Sequence, residues 1–456
     1  MKKAIYLITL LAIFSLSNIT NAQPLAGGRA FTLAVCDINT AYSWGYNANG
    51  QLGNGTNLDR NVPGAVNSIT GITDVACGDR HSLALKNDGK IWGWGDNGNG
   101  ALGNGTNTSS TVPVEVSSLS GITAIAGGRY HSVALRNDST VWAWGFNGEG
   151  ALGNGTYNNS NVPVPVSSLT GIIAISAGTN FSLALRKDGT VWAWGFNDDG
   201  ELGNGTNVKS NVPAPVNSLT GIVAISAGYF HALALKNDST VWAWGFNGNG
   251  QFGNGNTTDS NVPVAITSLA GIASIAGGRS HSLYLKNNGT VWASGSNNSG
   301  QLGDGTGINK NHPVQVSVLT NISAIAAGEQ HSLARKNDGT AWAWGSNGNG
   351  ELGNGTNTNS KVPLLVGGLC PVLSSNEIAE QASVSVYPNP CNGTFTLVHS
   401  CEKGRVEIYD LVGKKVYQSE IKSQTSEIDL SNRQKGIYFI RFIEGQKMRS
   451  EKIVIR

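Results

Sequence analysis

The chain has 456 residues, with 61 Gly and 12 Trp, only 13% charged residues and a formal net charge of +2. That length leaves room for more than one core, and the composition excludes a disordered chain or a coiled coil, which carry far more charge. The near-neutral balance argues against a nucleic-acid partner, because binding phosphates requires a basic surface.

The first 22 residues read as a secretory signal: "MKK" is the charged start, "AIYLITLLAIFSL" the apolar run and "SNITNA" a small, polar approach to cleavage. Cleavage after Ala22 would leave Gln23 first. The apolar run is short for a bilayer span. No other segment could span one, so no transmembrane segment is expected in the mature protein.

A fifty-residue period then sets in. Gly45, Gly95, Gly145, Gly195, Gly245, Gly295 and Gly345 mark seven copies, and Gly53 and Pro63 recur in register through all of them. A fixed period of this length means a repeat architecture. In the copy at 228–275, "HALALK" alternates as a strand does. "NDS", or "NDG" elsewhere, is a tight hairpin turn. "TVWAWG" alternates back, so Trp242 and Trp244 share a face. After a glycine-rich loop comes "VPVAI", with Pro263 near its start, where a missing N–H costs least. "GIASI" is the fourth strand. Four short strands per unit without helical periodicity predict an all-β protein, a seven-bladed β-propeller over 23–371.

All twelve Trp lie in the second strands, where a blade needs large apolar area against its neighbours. Only six internal fourth strands are present. The seventh must come from a terminus, either "QPLAGGR" at Gln23 or "PVLSS" at Pro371, and either would let the two ends meet in one blade. Tyr42 replaces the first Trp of copy one and Ser294 the second Trp of copy six, so these two blades are expected to pack less tightly.

After Val366 the period stops, and 372–383 reads as a linker. The stretches "VSVYPNPCNGTFTLVHS", "GRVEIYDLVGKKVYQSEI", "SEIDLS" and "GIYFIRFIEGQKMRSEKIVIR" alternate between turns, which predicts a small antiparallel β-sandwich over 384–456. It carries 12 Lys+Arg against 8 Asp+Glu, whereas residues 23–371 carry 17 against 19.

The signature "AGxxHSLALKxDGxVWAWGxNxxGxLGNG", over roughly residues 24–371, resembles the repeats of the regulator of chromosome condensation family, which implies a seven-bladed propeller. "YPNPCNG", "YDLVGKKV" and "KGIYFIRF", ending in "KIVIR", resemble the C-terminal sorting domain of the type IX secretion system. That resemblance implies export across two membranes, contact of the tail with the secretion machinery and removal of the tail. The mature protein is then secreted or held on the outer surface of a Gram-negative bacterium. The best-known propeller of the first family exchanges nucleotide on a small GTPase and docks on chromatin. Neither activity is expected here, because the signal removes the protein from the cytosol and the propeller is slightly acidic.

His81, His131, His231, His281 and His331 share one repeat position and could form a metal-binding ring. Phe31 and Phe181 fill that position in the other two copies, so a residue that serves the blade by packing and one hydrogen bond is the better reading. Asp198, Asp199 and Glu201 form the sole acidic loop cluster, read as a turn rather than a calcium loop. The repeated "NGT" fits a glycosylation acceptor but is likewise read as turn. The five cysteines cannot all pair with one another; none recurs with the repeat and no C-x-x-C occurs, so neither a disulfide framework nor zinc is implied. There is no "GxSxG", no "HExxH" and no phosphate loop after a strand. No catalytic residue, cofactor or metal is expected.

Strand direction puts the two residues before each His position, and the residue after each Trp strand, on one upper face. The lower turns are monotonous, whereas these upper positions differ from copy to copy. Variation on a scaffold otherwise copied marks positions freed from the fold. They are rich in Tyr, Phe and Arg, the residues of binding hot spots. The expected binding residues are Arg29, Asp79, Arg80, Arg129, Tyr130, Tyr229, Phe230, Arg279 and Glu329, with Tyr46, Phe146, Phe196 and Phe246. The expected function is a non-catalytic binding module for an extracellular protein. A glycan binder that stacks sugars on the aromatics, or an enzyme with convergent acids on this face, are the alternatives.

Overall fold

A computed structural model describes residues 24–36, 39–369, 385–387, 389–398, 404–410, 414–421, 423, 425–444 and 447–456. The expected signal and linker, and "PVLSS", lie outside the described residues. The protein divides into two compact units between Cys370 and Pro371.

The first unit contains seven four-stranded antiparallel sheets, each a simple meander. Blade one is built from Leu25–Gly27, Phe31–Cys36, Thr40–Gly45 and Arg60–Ala65. Six more follow at 72–115, 122–165, 172–215, 222–265, 272–315 and 322–365. The fourth strand of a sequence copy does not pair within that copy. Ile272–Gly277 pairs with His281–Lys286 and becomes the inner strand of the next blade. The N-terminal strand Leu25–Gly27, from "QPLAGGR", therefore supplies the inner strand of blade one. This corrects the expectation that the termini meet in one blade. Each blade is a contiguous stretch, and blade seven closes on blade one through side chains and loops.

Three contacts repeat at the seams. The second Trp of a blade reaches back one blade: Trp94 Nε1 donates to the Gln51 carbonyl at 2.8 Å, and at the closing seam Trp44 Nε1 donates to the Glu351 carbonyl at 2.8 Å. Each His reaches forward to a hydroxyl: His81 to Ser132 at 2.9 Å, and His331 to Thr32 at 3.0 Å. Loop amides bond to the next outer strand: Gly55 N–H to the Thr111 carbonyl, and Gly355 N–H to the Asn61 carbonyl, both at 2.9 Å. The histidines thus bond across the seams, each to the following blade.

Trp44, Trp94, Trp144, Trp194, Trp244 and Trp344 are fully buried. Each buries enough area to contribute on the order of 4–6 kcal/mol before entropy is charged against it. The glycine loop has to let that ring in. Gly203 sits at φ +59°, and a Cβ there would lie 2.9 Å from Trp244 Cδ1. The loop is then held by a buried asparagine: Asn247 Nδ2 donates to the carbonyls of Asn256 and Thr258, and its Oδ1 accepts from Phe252 N–H at 3.0 Å.

Blade six does not pack loosely, contrary to expectation. Tyr284 stands where the other blades have Ala, is fully buried, and fills the space that Ser294 leaves. Tyr284 Oη and Ser294 Oγ lie 3.0 Å apart, and both reach the carbonyl of Gln251, the counterpart of Gln51. Among the described cysteines, Cys36 is disulfide-bonded, which the non-recurring spacing did not imply, while Cys77 and Cys391 are free.

The second unit is a β-sandwich. One sheet is Ser385–Tyr387, Thr394–Val398 and Thr425–Asp429; the other orders Lys415–Ile421, Gly404–Tyr409, Gly436–Glu444 and Lys447–Ile455. Phe395, Leu397, Val406, Ile408, Ile428, Ile440 and Ile453 form its core.

Candidate binding face

The upper positions adjoin through the backbone. Phe146 N–H bonds to the Tyr130 carbonyl and Phe246 N–H to the Phe230 carbonyl, both at 2.8 Å; Tyr46 pairs likewise with Ala30, Asp96 with Arg80 and Phe196 with Asn180. In six of the seven blades the innermost position also bonds onward around the axis, Tyr229 N–H to the Gly278 carbonyl among them. Asp79 N–H donates to the Arg129 carbonyl, Arg129 to Thr179, Thr179 to Tyr229, Arg279 to Glu329 and Glu329 to Gly28, at 3.0–3.4 Å. This run of amides from blade two round to blade one fixes the rim backbone and leaves the side chains free to differ.

The rim side chains form a charged cluster. Glu329 binds two arginines: Arg29 Nε lies 3.1 Å from Oε2, and Arg279 pairs with Oε1. Arg129 Nε lies 3.3 Å from Asp79 Oδ2. The Tyr229 hydroxyl also donates to Asp79, whose carboxyl is nonetheless held above the usual range, chiefly by burial. Burial and the neighbouring Asp79 carboxylate push the Tyr229 hydroxyl well above its usual value. Asp79 and Glu329 are only 5% and 8% exposed, whereas the three arginine side chains are 41–46% exposed. Asp79 and Glu329, both among the expected binding residues, thus lie buried and paired with the arginines. Arg29, Asp79, Arg129, Thr179, Tyr229, Phe230, Arg279 and Glu329 enclose a cavity of about 150 Å³. Below it, an axial space of about 280 Å³ is lined mostly by Ala, Gly and Ser of the inner strands.

Outside the rim the face is divided. Tyr130, Phe146, Phe196, Phe230 and Phe246, all half-buried, form an aromatic arc over blades three to five. The Arg129 guanidinium lies 4.9 Å above the Tyr130 ring, and Tyr229 meets Phe230 edge-on at 6.4 Å. Blades six and seven are polar there, with Ser280, Ser296 and Gln330 lining a second hollow of about 280 Å³. Tyr46 and Arg80, in blades one and two, stand apart from the aromatic arc.

Among the described residues, no cluster of three or more His, Cys, Asp or Glu could hold a metal ion. Glu201 takes the position of Gln51 and Gln251, and its Oε2 accepts from Asp199 N–H at 3.0 Å as those glutamines accept from Asn49 and Asn249. Burial pushes its carboxyl up to about 8. Sequence reasoning missed the buried Asn of each loop, although Asn47, Asn97, Asn147, Asn197, Asn247, Asn297 and Asn347 never vary among copies. It also passed over Thr179, a buried rim residue whose hydroxyl has no partner within the protein.

The blade count, the seam contacts and the rim define a seven-bladed propeller with a built upper face. The RCC1-like domain model matches residues 10–223 and 59–385, so the chain belongs to the RCC1-like domain family. Residues 385–456 match the secretion system C-terminal sorting domain. Human WBSCR16 is similar at 23% identity, over 72% of this chain and 93% of that one, with a TM-score of 0.65. Prp20p of Saccharomyces cerevisiae is similar at 23% identity, over 80% and 90%, with a TM-score of 0.66. Yeast RCC1 (Prp20) bound to Kap60 gives 22%, 79% and 86%, and 0.65. At these identities the likeness speaks for the fold. Sequence comparison with curated proteins finds no match. The sorting domain indicates secretion or outer-surface display through the type IX machinery. No helix among the described residues is long and apolar enough to cross a membrane.

Proposed function

We propose that this protein is a non-catalytic binding module, secreted or displayed at the cell surface, whose upper propeller face takes up an extracellular protein. One observation carries the reading. On a scaffold that repeats down to single hydrogen bonds, the variable positions gather on one end, with a rigid backbone beneath an aromatic arc and three exposed guanidinium groups. Large rings and arginines on a preorganised backbone lose little freedom on binding and dominate affinity at protein interfaces. Proteins of the same fold support this reading: Prp20p was described together with its binding to Gsp1p and histones, and yeast RCC1 (Prp20) with Kap60 bound.

The test begins with capture of partners from the organism's surroundings and proceeds by substitution on both faces. Tyr130→Ala or Phe230→Ala should weaken binding of the captured partner by about 2 kcal/mol, roughly thirtyfold. Changes at Asn237 and Asp238, in a lower turn, should leave it unchanged. The opposite pattern would remove the upper face from consideration.

A further inference from the structure

We infer that the cavity at the axial mouth is a receptor for a single carboxylate carried by a protein partner, either an acidic side chain or the partner's own C-terminus. This rests on the reading of the upper face as a protein-binding surface and names the chemistry at its centre.

Charge is the first argument. Arg29, Arg129 and Arg279 meet there with Asp79 and Glu329 as counter-charges, which leaves one positive charge in excess. That surplus matches a monoanion better than a phosphoryl dianion. The three arginine side chains remain 41–46% exposed although each is in an ion pair. Arg offers a planar fork that suits a carboxylate.

An orphaned donor is the second argument. Thr179 is 3% exposed and borders the cavity, yet its Oγ1 has no hydrogen-bond partner in the protein. A buried hydroxyl left unpaired costs free energy that a ligand oxygen would recover. The neighbouring Tyr229 hydroxyl has the Asp79 carboxyl beside it, whereas the Thr179 hydroxyl has no partner within the protein.

Size is the third. The mouth itself is about 150 Å³, well below the roughly 300 Å³ at which pockets begin to enclose a whole small-molecule ligand, and it adjoins the axial space through the shared residues Asp79, Arg129, Thr179 and Tyr229. It suits one side chain or the end of a polypeptide. The aromatic arc beside it can then cover the rest of the partner.

The probes are three peptides titrated calorimetrically into the purified full-length protein at low salt: acetyl-Ala-Ala-Glu-Ala-Ala-amide, its Gln counterpart, and acetyl-tetra-alanine with a free carboxylate. At least one carboxylate peptide should bind saturably, about tenfold tighter than the Gln peptide, and weaken as salt rises. Thr179→Val, which keeps shape and should keep the melting temperature, should weaken it about three- to tenfold. Arg129→Gln should weaken it further. Equal binding of the Gln peptide, or no binding of either carboxylate peptide, would overturn the inference. So would a trigalacturonate that binds where the peptides do not. If the peptides fail while Phe230→Ala still weakens the captured partner, only the carboxylate receptor falls and the face assignment stands.

Discussion

At the scale of single residues, the seam histidines set the pH response. Ser132 and Ser282 donate to the carbonyls of Ala101 and Gln251, so each accepts a hydrogen bond from His Nε2, and burial keeps the rings neutral. Burial depresses His131, His231 and His281 to about 3, and His81 and His331 to about 4. The unfolded state therefore binds more protons below about pH 6.5, and stability falls as pH falls through that value toward 4. Each histidine should cost on the order of 1 kcal/mol at pH 5.5. Melting temperature should drop between pH 7.5 and 5.5, and His231→Phe, a residue that blades one and four already use, should flatten that drop. Glu201 acts with the opposite sign. Its raised carboxyl favours the folded state below the ordinary carboxylate range, and that advantage is lost as pH rises through about 8. Glu201→Gln should thus stabilise the protein at pH 7 by about 1–3 kcal/mol, read from the denaturation midpoint. The Tyr284 and Ser294 pair gives a third test. Tyr284→Ala alone should cost about 3–5 kcal/mol by opening a cavity, and Ser294→Trp alone about 1–3 by overpacking. The double substitution should recover most of both, because it recreates the Ala–Trp pair of the other blades.

At the scale of elements, the outer strands pose the hazard of an unpaired edge. They meet it locally. Ser210 Oγ donates to the Val212 carbonyl at 2.7 Å and accepts from Val212 N–H at 3.3 Å, and Pro213 follows with no N–H at all. The same Ser-x-Val-Pro device recurs in blades two, three, five and seven. Ser210→Ala with Pro213→Val should promote self-association, seen by light scattering, with little change in melting temperature. The strands themselves were legible because alternation and Trp spacing leave no other reading. The blade boundary was not. A fourth strand that ends one copy looks the same in sequence whether it pairs backward or forward, and only the register decides. The loop asparagines were hidden for a different reason: Asn is common in every turn, and nothing local marks one that is wholly buried. The upper face was legible as a set of positions, since variation against a copied background needs no geometry. Its inner structure was not, because two carboxylates and three arginines at fifty-residue spacing carry no sign of which lies on top.

At the scale of the whole molecule, the sorting domain implies processing. The exported protein should begin at Gln23 and end between 367 and 383, which an intact-mass measurement on extracellular material checks directly; a C-terminus at Arg456 would refute it. The ring itself has a further consequence. Six seams join sequence neighbours and can form as each blade arrives, whereas the seventh joins Trp44 to Glu351 and Thr32 to His331, about three hundred positions apart. A propeller that has emerged only in part is an open arc with two raw ends. Until the last blade arrives, the Trp44 indole and the Thr32 hydroxyl of blade one lack the Glu351 carbonyl and the His331 ring that should meet them. That last clasp joins blade one to blade seven, so it cannot close until both ends of the propeller are on the same side of the membrane.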